Sequence, residues 1–312
     1  MSHMVESMAY NFAARKLPWH GLGVSVSHAM NSAEALSFSG LDWQVRFEPV
    51  SVMGEVYKKR VATVRSSDNK ILGFVTPDYR IVQNNDAFAF TDELVGEGVN
   101  YETAGVLTSG RVWILANLPQ VDILRENYVP YLVFTNAHDG TSAVKAALTP
   151  VRVVCNNTLT IALGGAPRTW SVRHTGDITN KLEEARKTLR MAHQYMGAFV
   201  EEAERMSRVN VYRDDLVKFT ESLFPIDTTL GDRHVNNVMQ KREEFANRYN
   251  LAPDLSQHRG TAWGVFQAVS DMATHMKPLR ETETVYENRF MHIVDGNSIM
   301  ERAHAILCEV AA

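Results

Sequence analysis

Two groups of residues in this 312-residue chain have types and spacing suited to chemistry. The denser is Thr149-Pro150-Val151-Arg152-Val153-Val154-Cys155-Asn156-Asn157-Thr158-Leu159, where polar groups interrupt an apolar run. Arg152 and Asn156 suit a phosphate or a base edge, and a cysteine such as Cys155 can attack a carbonyl. With His138 upstream, a Cys/His pair is conceivable. The plainer reading has Asn156 or Asn157 capping a buried helix, Cys155 as a small hydrophobe and His138 at a hairpin tip. The second group is cationic: Lys58, Lys59, Arg60 and Arg65 in one segment, Arg80 after Tyr79, Arg111 beside Trp113, then Lys145, Arg168 and Arg173. Interleaved with Tyr57, Tyr79, Trp113 and Trp170, they fit a groove that pairs phosphates with Lys/Arg and stacks bases on rings. Thirteen Asp+Glu share residues 40–175 with thirteen Lys+Arg, so solvated strand faces are the competing reading.

Missing signatures narrow the chemistry. There is no GxxxxGK[ST], no GxGxxG between strand and helix, no HExxH, no CxxC and no GxSxG. Nucleotide hydrolysis, dinucleotide redox chemistry, zinc proteolysis and serine acyl transfer lose their usual support. No catalytic residue, metal ligand or cofactor is assigned. The net charge of -4 comes from residues 211–312, where eleven Lys+Arg face fifteen Asp+Glu. Nucleic-acid binding therefore cannot rest on bulk charge and needs a local basic groove.

These residues need elements to hold them. A composition of 45% hydrophobic and 22% charged residues is that of an ordinary globular chain. Cys155 and Cys308 are too few for a disulfide framework, which points to a reducing, cytoplasmic setting. No apolar run reaches the 18 or so residues of a membrane span, and mean hydropathy is -0.21. Met1-Ser2-His3-Met4 resembles a cloning remnant, so residues 1–18 are set aside as a tail.

Residues 19–175 read as an α+β domain of antiparallel hairpins packed on helices. Asn31 with Glu34 starts a short helix, and Trp43, Val45 and Phe47 alternate on one strand face. Strands at 60–65 and 71–75 flank a polar turn, 103–107 and 111–116 flank Thr108-Ser109-Gly110, and 128–135 and 142–148 flank His138-Asp139-Gly140. Asn84 or Asn85 caps a helix over 86–95, the apolar run 151–163 reads as a buried helix, and 169–174 as a strand. From residue 176 the period changes. Ile178, Leu182, Ala185, Leu189, Ala192, Met196, Phe199, Ala203 and Met206 form a heptad seam on a helix of some 30 residues, roughly 45 Å long. Such a helix needs a partner, either a later helix of the same chain or another subunit. Helices at 214–223, 233–249, 261–276 and 298–310 complete a helical domain, 176–312.

Several motifs occur together and in order. Trp19-His20-Gly21-Leu22-Gly23, Thr76-Pro77-Asp78-Tyr79-Arg80-Ile81-Val82-Gln83-Asn84, Ser109-Gly110-Arg111-Val112-Trp113, the His138-Asp139-Gly140 turn, Pro150 to Leu159, and His174-Thr175 resemble the phage/plasmid-like family called domain of unknown function 932. The resemblance runs from Trp19 to about Met206. It implies a role in the DNA biology of mobile elements, and the element order is similar in outline to Rad52-like annealing proteins. The expectation is an ATP-independent protein that binds or anneals single-stranded DNA during recombination, as a homo-oligomer. Lys58, Lys59, Arg60, Arg65, Tyr79, Arg80, Arg111, Trp113, Lys145, Arg152, Asn156, Arg168 and Arg173 would form its interface. The alternatives are an anti-defence or regulatory protein that binds a host or phage protein, and a Cys- or metal-dependent enzyme.

Overall fold

A computed structural model describes residues 5–11, 24–26, 30–86, 100–107, 109–152, 157–158, 163, 168–175, 178–277, 288, 291–292 and 294–310. The chain is α+β. It divides into two compact units, each assembled from separated stretches: residues 1–119, 131–148 and 169–192 in the first, 120–130, 149–168 and 193–312 in the second. The sequence suggests a tail over 1–18 and a cut at 176, but Val5–Asn11 of that tail is a strand paired with Asn100–Leu107 in the first unit. The units interleave instead, because two strands and the long helix each contribute to both.

The first unit holds β1 (Val5–Asn11), β2 (Val24–Val26), α1 (Ser32–Phe38), β3 (Val45–Val52), β4 (Glu55–Arg65), β5 (Ile71–Val75), β6 (Asn100–Leu107) and β7 (Val112–Asn117). It also takes the end of β9 (Glu126–Asn136), the start of β10 (Val144–Arg152) and β12 (Thr169–Val172). Its main sheet runs β10-β9-β7-β6-β1-β2, with β12 on β10. Antiparallel hairpins build it, apart from a parallel β1/β2 pair. β3-β4-β5 form a second antiparallel sheet. The hairpins fall where alternation and turn chemistry place them. Asn31 caps α1 with a full capping box: its carboxamide oxygen accepts from Glu34 N, and Glu34 accepts from Asn31 N. Trp43 and Val45 are buried as their alternation requires, whereas Phe47 is 42% exposed.

The second unit contains β8 (Val121–Ile123), β11 (Asn157–Thr158) and the α-helices that follow. These are α2 (Ile178–Ser207, entering this unit at His193), α3 (Arg213–Leu223), α4 (Asp232–Leu251), α5 (Ala262–His275) and α6 (Ser298–Val310). The expected helix over 151–163 is not seen where the chain is described: Val151 and Arg152 pair with Thr158 and Asn157 as a β-ladder. A short apolar run rich in Val and Thr suits a strand as well as a helix, and ladder pairing decided for strand. The heptad residues Met196, Phe199, Ala203 and Met206 are buried, so this part of the seam is filled from within the chain. Phe199 packs edge-on against Trp263 and Tyr128, which gives α2 the partner its length demands. α5 is buried around most of its circumference. Beneath it Gln267 donates to the Tyr128 hydroxyl, which donates in turn to Glu126. Gln267 Oε1 has no hydrogen-bond partner among the described residues.

Candidate functional site

The first unit carries an open cleft of about 350 Å³ lined by Arg60, Phe74, Tyr79, the Asp139–Ala143 turn, Arg173 and His174. Its floor is the β9–β10 hairpin turn, held from three sides. Tyr79 donates its hydroxyl to the Ala137 carbonyl at 2.9 Å, and Thr63 donates to the His138 carbonyl at 2.6 Å. His138 donates from Nε2 to the Asn84 carboxamide oxygen at 3.0 Å, since the Asn84 amide nitrogen is already donating to Leu41. The turn itself is local chemistry. Asp139 Oδ1 accepts from the Thr141 amide and hydroxyl, and Gly140 takes a φ of +76°. β5 approaches this turn so closely that a Cβ on Gly73 would lie 2.4 Å from Asp139 Cα.

One wall is a ring stack. His174 lies 4.6 Å from Tyr79 with planes 13° apart. It is fixed by a reciprocal pair of bonds, its Nδ1 donating to the Arg80 carbonyl and its own carbonyl accepting from the Arg80 amide. That tautomer leaves Nε2 as an acceptor with no hydrogen-bond partner among the described residues, in a residue only 4% exposed. Burial pushes the His174 pKa down, against the backbone hydrogen bond. His138, fully enclosed, is pushed down to about 3 by burial and then by His174. Burial, aided by Asp139, raises the Tyr79 phenol. Both imidazoles are neutral near pH 7, so the cationic character of the cleft comes from its arginines.

Arg60 and Arg173 enter this cleft from β4 and from just beyond β12, 113 residues apart in sequence. Both are exposed, and neither has a carboxylate within 4 Å among the described residues. Among the described residues, Asp139 is the one acidic side chain in the lining. Lys58 and Lys59 are exposed on the same strand as Arg60, and Arg80 is exposed behind the His174 wall. The geometry suits an anion through two guanidiniums beside an exposed ring, Phe74, at 55% exposure, while the Thr141 and Ser142 hydroxyls donate to Asp139 and to the Ala143 carbonyl.

Other sequence-selected residues have structural duties. Arg65, five residues beyond Arg60, is only 6% exposed. It is held by Glu6 and Asp68 and lies over the Trp43 ring. Trp113 is 1% exposed, with its indole nitrogen 3.4 Å from the Thr103 hydroxyl. Tyr79 shows the cleft an edge of a buried stack. Arg168, in the second unit, is buried and donates to Thr149 and to the Val294 carbonyl. Arg111 and Lys145 are half-buried and have interactions of their own. Arg152 lies at the end of β10, and its side chain, like Cys155 and Asn156, is outside the described residues. Phe74, Thr141 and Ser142 were missed. The Asp139-Gly140-Thr141 turn signal was present in the sequence, and its hydroxyl at the third position is what an Asx turn orients.

A family model described as Domain of unknown function (DUF932) matches residues 71–293. The match starts after Trp19-His20-Gly21-Leu22-Gly23 and reaches well past Met206. No curated protein and no solved structure matches the chain.

Proposed function

We propose, from the premise that the chain belongs to the DUF932 family, that it is a single-stranded nucleic-acid-binding protein acting without ATP, and that the first-unit cleft seats a backbone phosphate. The observation that supports this is that Arg60 and Arg173, each without an acidic partner among the described residues, line one cleft together with the Asp139–Ala143 turn. Charge that is not neutralised internally is available to a polyanion, whereas Arg65 and Arg168 are already spent on the fold. Lys58, Lys59 and Arg80 extend the positive surface beyond the cleft. Base stacking falls to the exposed rings Phe74 and Tyr57, at 55% and 46% exposure, in place of Trp113 and Tyr79.

Anisotropy of a labelled oligo-dT over a salt series tests the reading. The expected result is an affinity that falls with salt, at a slope of about -0.7 for each phosphate neutralised. Arg60→Ala should reduce that slope by about 0.7, and oligo-dT should bind more tightly than the same length of duplex. Flat, salt-independent binding, or a slope unchanged by Arg60→Ala, refutes it. Strand annealing in recombination is the wider role proposed, checked by the rate at which complementary oligonucleotides pair with and without the protein.

A further inference from the structure

The second unit brings three metal-ligating side chains to one point, two of them beyond the end of the family match. His304 and Cys308 are four residues apart on α6 and so share one helix face. Glu202 comes from α2. His304 Nε2 lies 2.6 Å from Glu202 Oε1 and 3.6 Å from Cys308 Sγ, and Cys308 Sγ lies 3.9 Å from the same carboxylate oxygen. One donor atom from each side chain falls within 4.8 Å of the others. All three are half-buried, open enough for an ion to enter.

Two chemistries use Cys, His and Glu. A nucleophile relay strings them out, with the thiol on one imidazole nitrogen and the carboxylate on the other. Here both meet the same nitrogen, Nε2, so a relay is not formed. Convergence of N, S and O donors is instead the pattern of a coordination sphere. Bond lengths of about 2.0–2.3 Å around a tetrahedral ion put ligand atoms roughly 3.3–3.6 Å apart. The Cys308–His304 separation already has that value. The Cys308–Glu202 edge is a few tenths of an ångström longer, and the Glu202–His304 contact has to open by less than 1 Å. The His304 ring is set edge-on against buried Phe266, which limits its rotation.

We propose that Glu202, His304 and Cys308 bind a zinc ion, taking three positions of a tetrahedron and leaving the fourth to water. As the S–Zn bond forms, the Cys308 thiol releases its proton to solvent. Arg205 is the built-in competitor. Its guanidinium donates from Nε to Glu202 Oε2 and from Nη2 to Oε1, and Nη2 also lies 3.2 Å from Cys308 Sγ. The arginine therefore supplies the positive charge that an ion would bring. Its side chain is 41% exposed and can leave toward solvent, keeping the Nε bond to Oε2 while Oε1 and Sγ turn to the metal. Sequence alone gives no standard zinc motif here, because the third ligand lies 102 residues from His304.

The test uses untagged full-length protein stripped with chelator and titrated with Co2+, then Zn2+. One equivalent of Co2+ should give a thiolate-to-cobalt charge-transfer band that Zn2+ abolishes. Cys308→Ser should remove the band and Cys155→Ser should leave it. Glu202→Gln and His304→Ala should each weaken binding at least tenfold, and Arg205→Gln should tighten it severalfold. In the wild-type chain, one equivalent of Zn2+ should slow alkylation of Cys308 at least tenfold. No band, a band that survives Cys308→Ser, weaker binding in Arg205→Gln, or unprotected alkylation overturns the proposal.

Discussion

The cleft of the first unit and the Glu202–Arg205–His304–Cys308 cluster of the second both concentrate ionisable groups, and they treat charge in opposite ways. In the cleft, Arg60 and Arg173 are left without carboxylate partners among the described residues, while the nearby imidazoles are kept neutral by burial. In the cluster every group is engaged. Burial alone would raise the Glu202 pKa, yet hydrogen bonds from Arg205 and His304 outweigh it and hold the carboxylate below its usual range. An unbalanced site attracts a ligand of opposite charge, and a balanced one must exchange a partner before it binds anything. The cleft should therefore lose function when its charges go, with little loss of stability.

The largest effect expected follows directly. Arg60→Ala with Arg173→Ala removes two charge-assisted phosphate contacts, about 3 kcal/mol together or ~100-fold in oligo-dT affinity. Exposed side chains without partners contribute little to the fold, so urea unfolding should shift by no more than about 0.5 kcal/mol. A double variant that binds normally would place the interface elsewhere. One that unfolds would show that these arginines are structural after all.

Gly73→Ala separates the floor of the cleft from its charges. The added methyl would meet Asp139 Cα and Cβ at 2.4 and 2.8 Å, so β5 or the turn must move. Overpacking of this kind costs about 1–3 kcal/mol and displaces Thr141 and Ser142. Oligo-dT binding should fall although every cation is retained, while the Co2+ spectrum of the second unit stays as it was. Loss of both signals would mean the two sites are not independent.

Much of this architecture is written in the sequence, and its limits have a physical cause. The 4-3 spacing from Ile178 to Met206 gives α2 almost to the residue, because a buried helical stripe must repeat that way. Hairpins follow from Gly and Asx chemistry between alternating runs. What local pattern does not encode is which distant group a strand register delivers. Arg60 and Arg65 share β4 and look equivalent in sequence. Glu6, from another strand, neutralises Arg65, whereas Arg60 lines a cleft that Arg173 also lines. The i,i+4 pairing of His304 with Cys308 is readable, and its completion by Glu202 is not. In the 151–163 run, short β-branched segments satisfied both periods, and the partner strand decided.

Acid should expose the same contrast. In the native first unit His138 sits near 3 and His174 below its ordinary value, whereas in the unfolded chain both titrate near 6.5. Between those values the unfolded chain takes up protons that the native state refuses. The contribution of His138 is complete above about pH 6.5 and is lost as pH falls toward 3, at up to about 1.4 kcal/mol per pH unit, and His174, lowered as well, adds to the loss below about pH 6.5. Urea midpoints measured from pH 7.5 down to pH 5 should fall accordingly. His138→Leu should flatten the decline, and an unchanged slope would remove His138 from the account.

The smallest effect probes the balance of the cluster itself. Burial raises the Cys308 thiol pKa, the charge of Glu202 raises it further, and Arg205 pulls it back. The two neighbours thus act with opposite signs on one sulfur. In metal-free protein at a fixed pH near 8, the thiolate fraction sets the alkylation rate. Glu202→Gln should speed iodoacetamide labelling of Cys308 a few-fold, and Arg205→Gln should slow it by a similar factor. Neither should move stability by more than about 1 kcal/mol, since the Arg205 side chain is 41% exposed and its ion pair is partly screened. If both substitutions shift the rate in the same direction, access to the sulfur governs its reactivity and the charge balance does not. The cluster would then be an ordinary packed helix contact, and the contrast with the cleft would reduce to a difference in burial.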